Sequence, residues 1–82
     1  MKMTGTVVNV NLEKGYALVR GSDRRTYFCF VRYFDEMSYF KFEDLQFGAT
    51  VRFEPTEGPK GPRGVDVEIL GNEQGLSALD GS

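Results

Sequence analysis

Two stretches, Tyr16–Arg20 and Thr26–Arg32, are apolar on both faces of an extended chain, and this limits the fold more than any other feature. Side chains along a strand alternate between faces. Ala17 and Val19 therefore share one face of the first stretch, and Tyr16 and Leu18 the other. In the second stretch Tyr27, Cys29 and Val31 share one face, and Phe28 and Phe30 the other. The connection Gly21-Ser22-Asp23 is built of turn residues, so the stretches pair as neighbours. The small and β-branched set, Ala17, Val19, Cys29 and Val31, suits the interior of a narrow barrel. Tyr16, Leu18, Phe28 and Phe30 are then left outside, side by side.

The rest of the chain has the same grain. Thr6–Val10 reads as a first strand, Tyr16–Arg20 as a second and Thr26–Arg32 as a third. Thr50–Glu54 reads as a fourth and Val65–Leu70 as a fifth. The run from Glu57 to Gly64 carries two prolines and three glycines and reads as a long loop. Residues 33–47 lack a clear period and read as a loop with one turn of 3₁₀ or α structure. The expected fold is all-β: a five-stranded antiparallel OB-type barrel, since closure removes exposed strand edges. With 82 residues there is room for one domain, over 1–70. Residues 71–82 are small and polar apart from Leu76, Ala78 and Leu79, and read as a flexible tail.

Little in the sequence points to catalysis, and the chain is not expected to be an enzyme. There is no histidine to act as a base near neutral pH or to help hold zinc. Cys29 is the single cysteine, so no internal disulfide can form, and its strand phase points it inward. The pairs Asp35-Glu36 and Glu43-Asp44 flank loops and read as a solvated acidic rim. Gly58-Pro59-Lys60-Gly61 lacks the Lys-Ser/Thr ending and following helix of a phosphate-cradling loop. No cofactor or metal is expected. No apolar run approaches the roughly 20 residues of a membrane span, and Met1–Thr4 is too short and polar for a signal peptide. With one cysteine, these features fit a cytoplasmic protein.

The outward aromatic set marks an interaction surface. Rings on a sheet bordered by Lys and Arg suit single-stranded RNA or DNA, each stacked base contributing about 1–3 kcal/mol. Ten basic residues against twelve acidic ones give a net charge of −2, which weighs against phosphate binding. The charge is uneven, however. Lys14, Arg20, Arg24, Arg25 and Arg32 face Glu13 and Asp23 over residues 13–32, a local +3. The alternative occupant of such a face is protein, either a second copy of the chain or another partner.

Four segments in order also resemble the cold-shock domain family. Lys14-Gly15-Tyr16-Ala17-Leu18-Val19 is similar to its first ribonucleoprotein motif, and Tyr27-Phe28-Cys29-Phe30-Val31 to its second. Thr4-Gly5-Thr6-Val7 resembles the family's start, and the run from Glu57 to Val67 its late Gly/Pro loop. The resemblance spans residues 3–70 and implies a barrel that binds single-stranded nucleic acid through strands two and three, as an RNA chaperone or a modulator of transcription or translation. Carried over by position, it implies stacking by Tyr16, Phe28 and Phe30, with Leu18 as a poorer platform. It implies phosphate contact by Lys14, and phosphate or base contact by Lys60 and Arg63. Phe42 corresponds to a further stacking ring, with Phe40 or Tyr39 as alternatives because the loop is longer than usual. Asn11 is retained, whereas Val8 and Asn9 replace the family's lysine and tryptophan. Losing that stacking ring implies weaker binding, by tenfold or more at about 1–3 kcal/mol per base.

Overall fold

The computed structural model describes residues 1–35 and 40–71. Five strands form a closed barrel: β1 Met3–Asn11, β2 Tyr16–Gly21, β3 Thr26–Phe30, β4 Thr50–Gly58 and β5 Gly61–Gly71. Around the barrel the order is β1-β2-β3-β5-β4 and back to β1. The expected all-β, five-stranded OB-type barrel is what the chain forms. It is not wholly antiparallel, because β3 and β5 run parallel where they meet at Phe28 and Arg63. The 3₁₀ turn at Phe42–Asp44 lies within residues 33–47, where one such turn is expected, whereas a second at Val31–Tyr33 replaces the end of the expected third strand, which stops at Phe30 and not at Arg32. The expected tail, residues 71–82, lies outside the described residues beyond Gly71.

The interior is filled as the alternation requires. Val7, Ala17, Val19, Cys29, Val51, Phe53 and Val67 have no exposed surface. The Tyr27 ring packs at 5.0 Å on Phe53, and its hydroxyl escapes the core to donate a 2.6 Å hydrogen bond to Asp23 Oδ2. Burial pushes the Cys29 thiol up to about 12, so it is a protonated core group and not a nucleophile. Val31 departs from expectation at 44% exposed. Strand β3 stops at Phe30, and the 3₁₀ turn that follows breaks the alternation that would have taken Val31 inward. Its side chain instead packs over Gly15, whose carbonyl accepts the Val31 N–H at 2.8 Å.

The Glu57–Gly64 segment is not the long loop its prolines suggest. Strands β4 and β5 continue through it in register, Pro55 opposite Gly64 and Glu57 opposite Pro62, and the chain turns at Pro59-Lys60. The β1–β4 ladder ends at Phe53, and β3 meets β5 at one register position. Pro59 takes the turn itself, and Pro55 and Pro62 lie where their strands are bonded mainly on one side, an edge that tolerates a missing N–H.

Of the three register shifts among the described strands, two bear on the outer face. Val7 pairs with Val19 but Asn9 with Leu18, so Val8 is an extra residue bulged out of the ladder. On β5, Val65 pairs with Glu54 and Glu68 with Arg52, and Asp66 takes the left-handed conformation at φ 53°. Aspartate is among the residues that tolerate it, and its carboxylate meets Lys2 Nζ at 2.8 Å.

Gly5 is the tight point of closure, where β1 pairs with β2 and β4 at once. A Cβ there would lie 2.6 Å from Val19 Cγ1 and 2.8 Å from the Arg20 carbonyl oxygen. The carbonyl belongs to the ladder and cannot swing aside. Gly5→Ala is expected to cost about 1–3 kcal/mol, the range for overpacking, read as a lower urea midpoint with unchanged slope. An unchanged midpoint would show that the closure has slack.

Candidate nucleic-acid interface

The outer surface of β2 and β3 is built row by row from strand register. Asn9, Leu18, Phe28 and Arg63 align across β1, β2, β3 and β5. Asn11, Tyr16 and Phe30 form the neighbouring row. Thr6, Arg20 and Thr26 form a third, on the other side of the first. The two bulges bring in the outermost members. With Val7 inward, strict alternation would turn Asn9 inward as well, and the slip at Val8 turns it out. With Val67 inward, strict alternation would bury Arg63, and the slip at Asp66 frees it.

The rings touch one another. Tyr16 and Phe28 have centroids 4.6 Å apart, and Phe28 and Phe30 4.9 Å, all at tilted angles. Tyr16, Leu18, Phe28 and Phe30 are each half-buried, so part of every apolar surface faces solvent. Beside them is a hollow of about 270 Å³ lined by Phe28, Phe30 and the hairpin residues Lys60, Pro62 and Arg63. Arg63 reaches over Gly58, where the lack of a side chain leaves it room, and its guanidinium lies 5.6 Å from the Phe30 centroid.

Arg32 and Tyr33 complete the rim. The Arg32 guanidinium lies 5.3 Å from the Phe30 centroid and 5.2 Å from that of Tyr33. A hydrogen bond from Arg32, followed by its charge, holds the Tyr33 hydroxyl below the ordinary tyrosine range. Neither residue was among those expected at the site. In the sequence Arg32 shows only as one of the cations of residues 13–32; it and Tyr33 both reach the rim through the 3₁₀ turn, which has no periodic signature.

The other expected residues divide. Lys14 and Lys60 are exposed. Asn11 builds the turn after β1: its Oδ1 accepts the Lys14 N–H at 2.9 Å, and its amide lies 3.5 Å from the Tyr16 hydroxyl. Asn9 is exposed on the face. Phe42 does not join the ring cluster. It packs edge-on against Phe34 at 4.9 Å and leans on the core, as Phe40 also does. Tyr39 lies outside the described residues.

The ion pairs explain how an acidic chain keeps a basic rim. Glu54 pairs with the N-terminus, Asp66 with Lys2, Glu57 with Arg25 and Glu68 with Arg52. Among the described residues Lys14, Arg20, Arg32, Lys60 and Arg63 have no carboxylate partner. Four carboxylates are thus matched to cations outside the ring cluster, and the cations beside the rings remain available to an anion. Among the described residues no group of three or more His, Cys, Asp or Glu is arranged to hold a metal, and no helix is long and apolar enough to cross a membrane.

No protein-family model matches the chain, and no curated protein matches its sequence.

The contact between Arg32 and Tyr33 has a direct signature. Arg32→Ala is expected to raise the Tyr33 pKa toward the ordinary value of about 10, followed by NMR of the ring protons through an alkaline titration. A Tyr33 titration unmoved by the substitution would show that the guanidinium does not rest there.

Proposed function

We propose that this protein is a non-catalytic module that binds single-stranded RNA or DNA in the cytoplasm, by stacking bases on Tyr16, Phe28 and Phe30. The observation that carries the reading is the contiguous, half-buried ring cluster bordered by cations that have no carboxylate partner among the described residues. Every base has a π face, so such a platform accepts bases with little regard to sequence. Guanidinium groups over a ring can stack on a base themselves or take a phosphate oxygen. The ordered likeness of four segments to the cold-shock domain family supports the same reading, and on it the chain is a divergent member that acts as an RNA chaperone or a modulator of transcription or translation. The absence of a tryptophan at Asn9 places the expected affinity below that of a chain with a full stacking set.

The test is titration of an oligothymidine of about seven nucleotides, within the roughly 4–16 that an OB barrel covers, followed by tyrosine fluorescence. Phe28→Ala and Phe30→Ala should each weaken binding by about 1–3 kcal/mol, and Arg52→Ala, whose guanidinium pairs with Glu68, should not. Arg32→Ala should reduce the salt slope by about 0.7, the share of one phosphate on a single strand. No quenching at low salt and high protein concentration would overturn the proposal. So would light scattering that shows a dimer through this face which the oligonucleotide cannot displace.

A further inference from the structure

The rings of the face form a run. Tyr16 meets Phe28 at 4.6 Å and Phe28 meets Phe30 at 4.9 Å, so Phe30 is one end of it. The guanidinium groups that touch the run gather at that end. Arg32 and Arg63 both lie within 5.6 Å of the Phe30 centroid, and among the described residues no guanidinium lies over Tyr16 or Phe28. Both also bear on one oxygen. Arg32 donates a hydrogen bond to the Tyr33 hydroxyl, and Arg63 adds its charge and a further bond. Neither arginine has a carboxylate partner among the described residues. Two like charges that approach one point repel, and an anion between them offsets that cost. A strand whose internal phosphates alone were held would call for cations spread along the rings. Here they are concentrated where β3 stops, beside the hollow of about 270 Å³ between the rings and the hairpin.

We propose that Arg32, Arg63 and the Tyr33 hydroxyl form a site for the terminal phosphate monoester of a nucleic-acid strand, so that the module favours phosphorylated strand ends. The inference rests on the nucleic-acid reading above and goes beyond it, because stacking alone does not tell an end from an interior position. An internal phosphodiester carries one charge and two free oxygens, which a single guanidinium fork satisfies. A monoester carries about −1.5 to −2 charge near neutral pH and three acceptor oxygens. Three oxygens can meet two forks, sharing one between them, and accept the Tyr33 O–H as well. Two guanidinium groups thus match the charge of the monoester and exceed that of a diester. The terminal base then lies in the hollow lined by Phe28, Phe30 and Lys60.

The experiment uses the full chain and oligothymidines of about seven nucleotides, phosphorylated at one end, at the other end or at neither. A strand without terminal phosphate but about two nucleotides longer carries the same charge as either phosphorylated one and serves as the reference. At least one phosphorylated form is expected to bind about tenfold more tightly than this reference, the return of charge-assisted hydrogen bonds. Which end gives the preference fixes the polarity of the strand on the face. Arg32→Ala and Arg63→Ala should each bring the ratio to within about twofold. The ratio is taken within each variant, so a general loss of affinity does not enter it. Arg52→Ala, whose guanidinium pairs with Glu68 outside the face, should keep the full ratio. Arg32 is exposed, so its substitution should leave the barrel intact, and circular dichroism melting checks each variant. If oligothymidine binds but neither phosphorylated form exceeds the reference, the inference is overturned and the stacking reading stands. The same holds if the preference survives either substitution of Arg32 or Arg63 in a folded variant, or if Arg52→Ala lowers it as much. If no strand of any form binds, the stacking reading itself fails and this inference fails with it.

Discussion

The interior of this barrel accepts one side chain from each alternating pair along a strand, and most of the molecule's surface chemistry follows from that limit. Val7, Val19, Val51, Phe53 and Val67 fill the space, with Ala17 and Cys29 facing inward as register partners on β2 and β3. A second apolar set on β2 and β3 has no room inside. Tyr16, Leu18, Phe28 and Phe30 are outside because the inner positions of their strands are already taken. Burying a large apolar side chain contributes about 1.5–3 kcal/mol, so the inner set holds the fold together. The outer set, half-exposed, forgoes part of that gain and is available to a ligand.

That division was legible in the sequence for β2 and β3, because their alternation is unbroken and a short turn fixes their pairing. The strands on either side were harder to read. In β1 the slip at Val8 has no sequence signature and shows only in the pairing with β2. In β5 the spacing of Val65, Val67 and Ile69 looks regular, yet Asp66 adopts a left-handed conformation and shifts the phase. Local propensity also misled at Glu57–Gly64, where Pro59 takes a two-residue turn, Pro62 lies at an edge, and β4 and β5 otherwise continue. The turn at Val31–Tyr33 sent Val31 outward and brought Tyr33 to the rim for the same kind of reason: a short 3₁₀ turn has no sequence period to reveal it. Phe42 was out of reach of periodicity as well, since its packing on Phe34 is a tertiary contact between segments without regular structure.

The charge pattern follows a similar economy of position. Net charge alone argues against an anionic partner. The placement of the ion pairs changes the local picture, because Glu54, Glu57, Asp66 and Glu68 are engaged by cations outside the ring cluster. The pairs are half-exposed surface contacts and are each worth little to stability. Their consequence is spatial: these four carboxylates are engaged outside the ring cluster, and Arg32 and Arg63 remain over Phe30.

On the proposed reading, a single-stranded nucleic acid occupies the outer face of β2 and β3 together with the rim of the β4–β5 hairpin. Amide NMR during titration with an oligothymidine tests it most directly. Shifts concentrated at Tyr16, Leu18, Phe28, Phe30, Arg32 and Arg63, with Arg52 and Glu68 unmoved, are the predicted result. Shifts confined to another apolar group, such as the exposed Phe47 in the turn before β4, with the ring cluster silent, would contradict it.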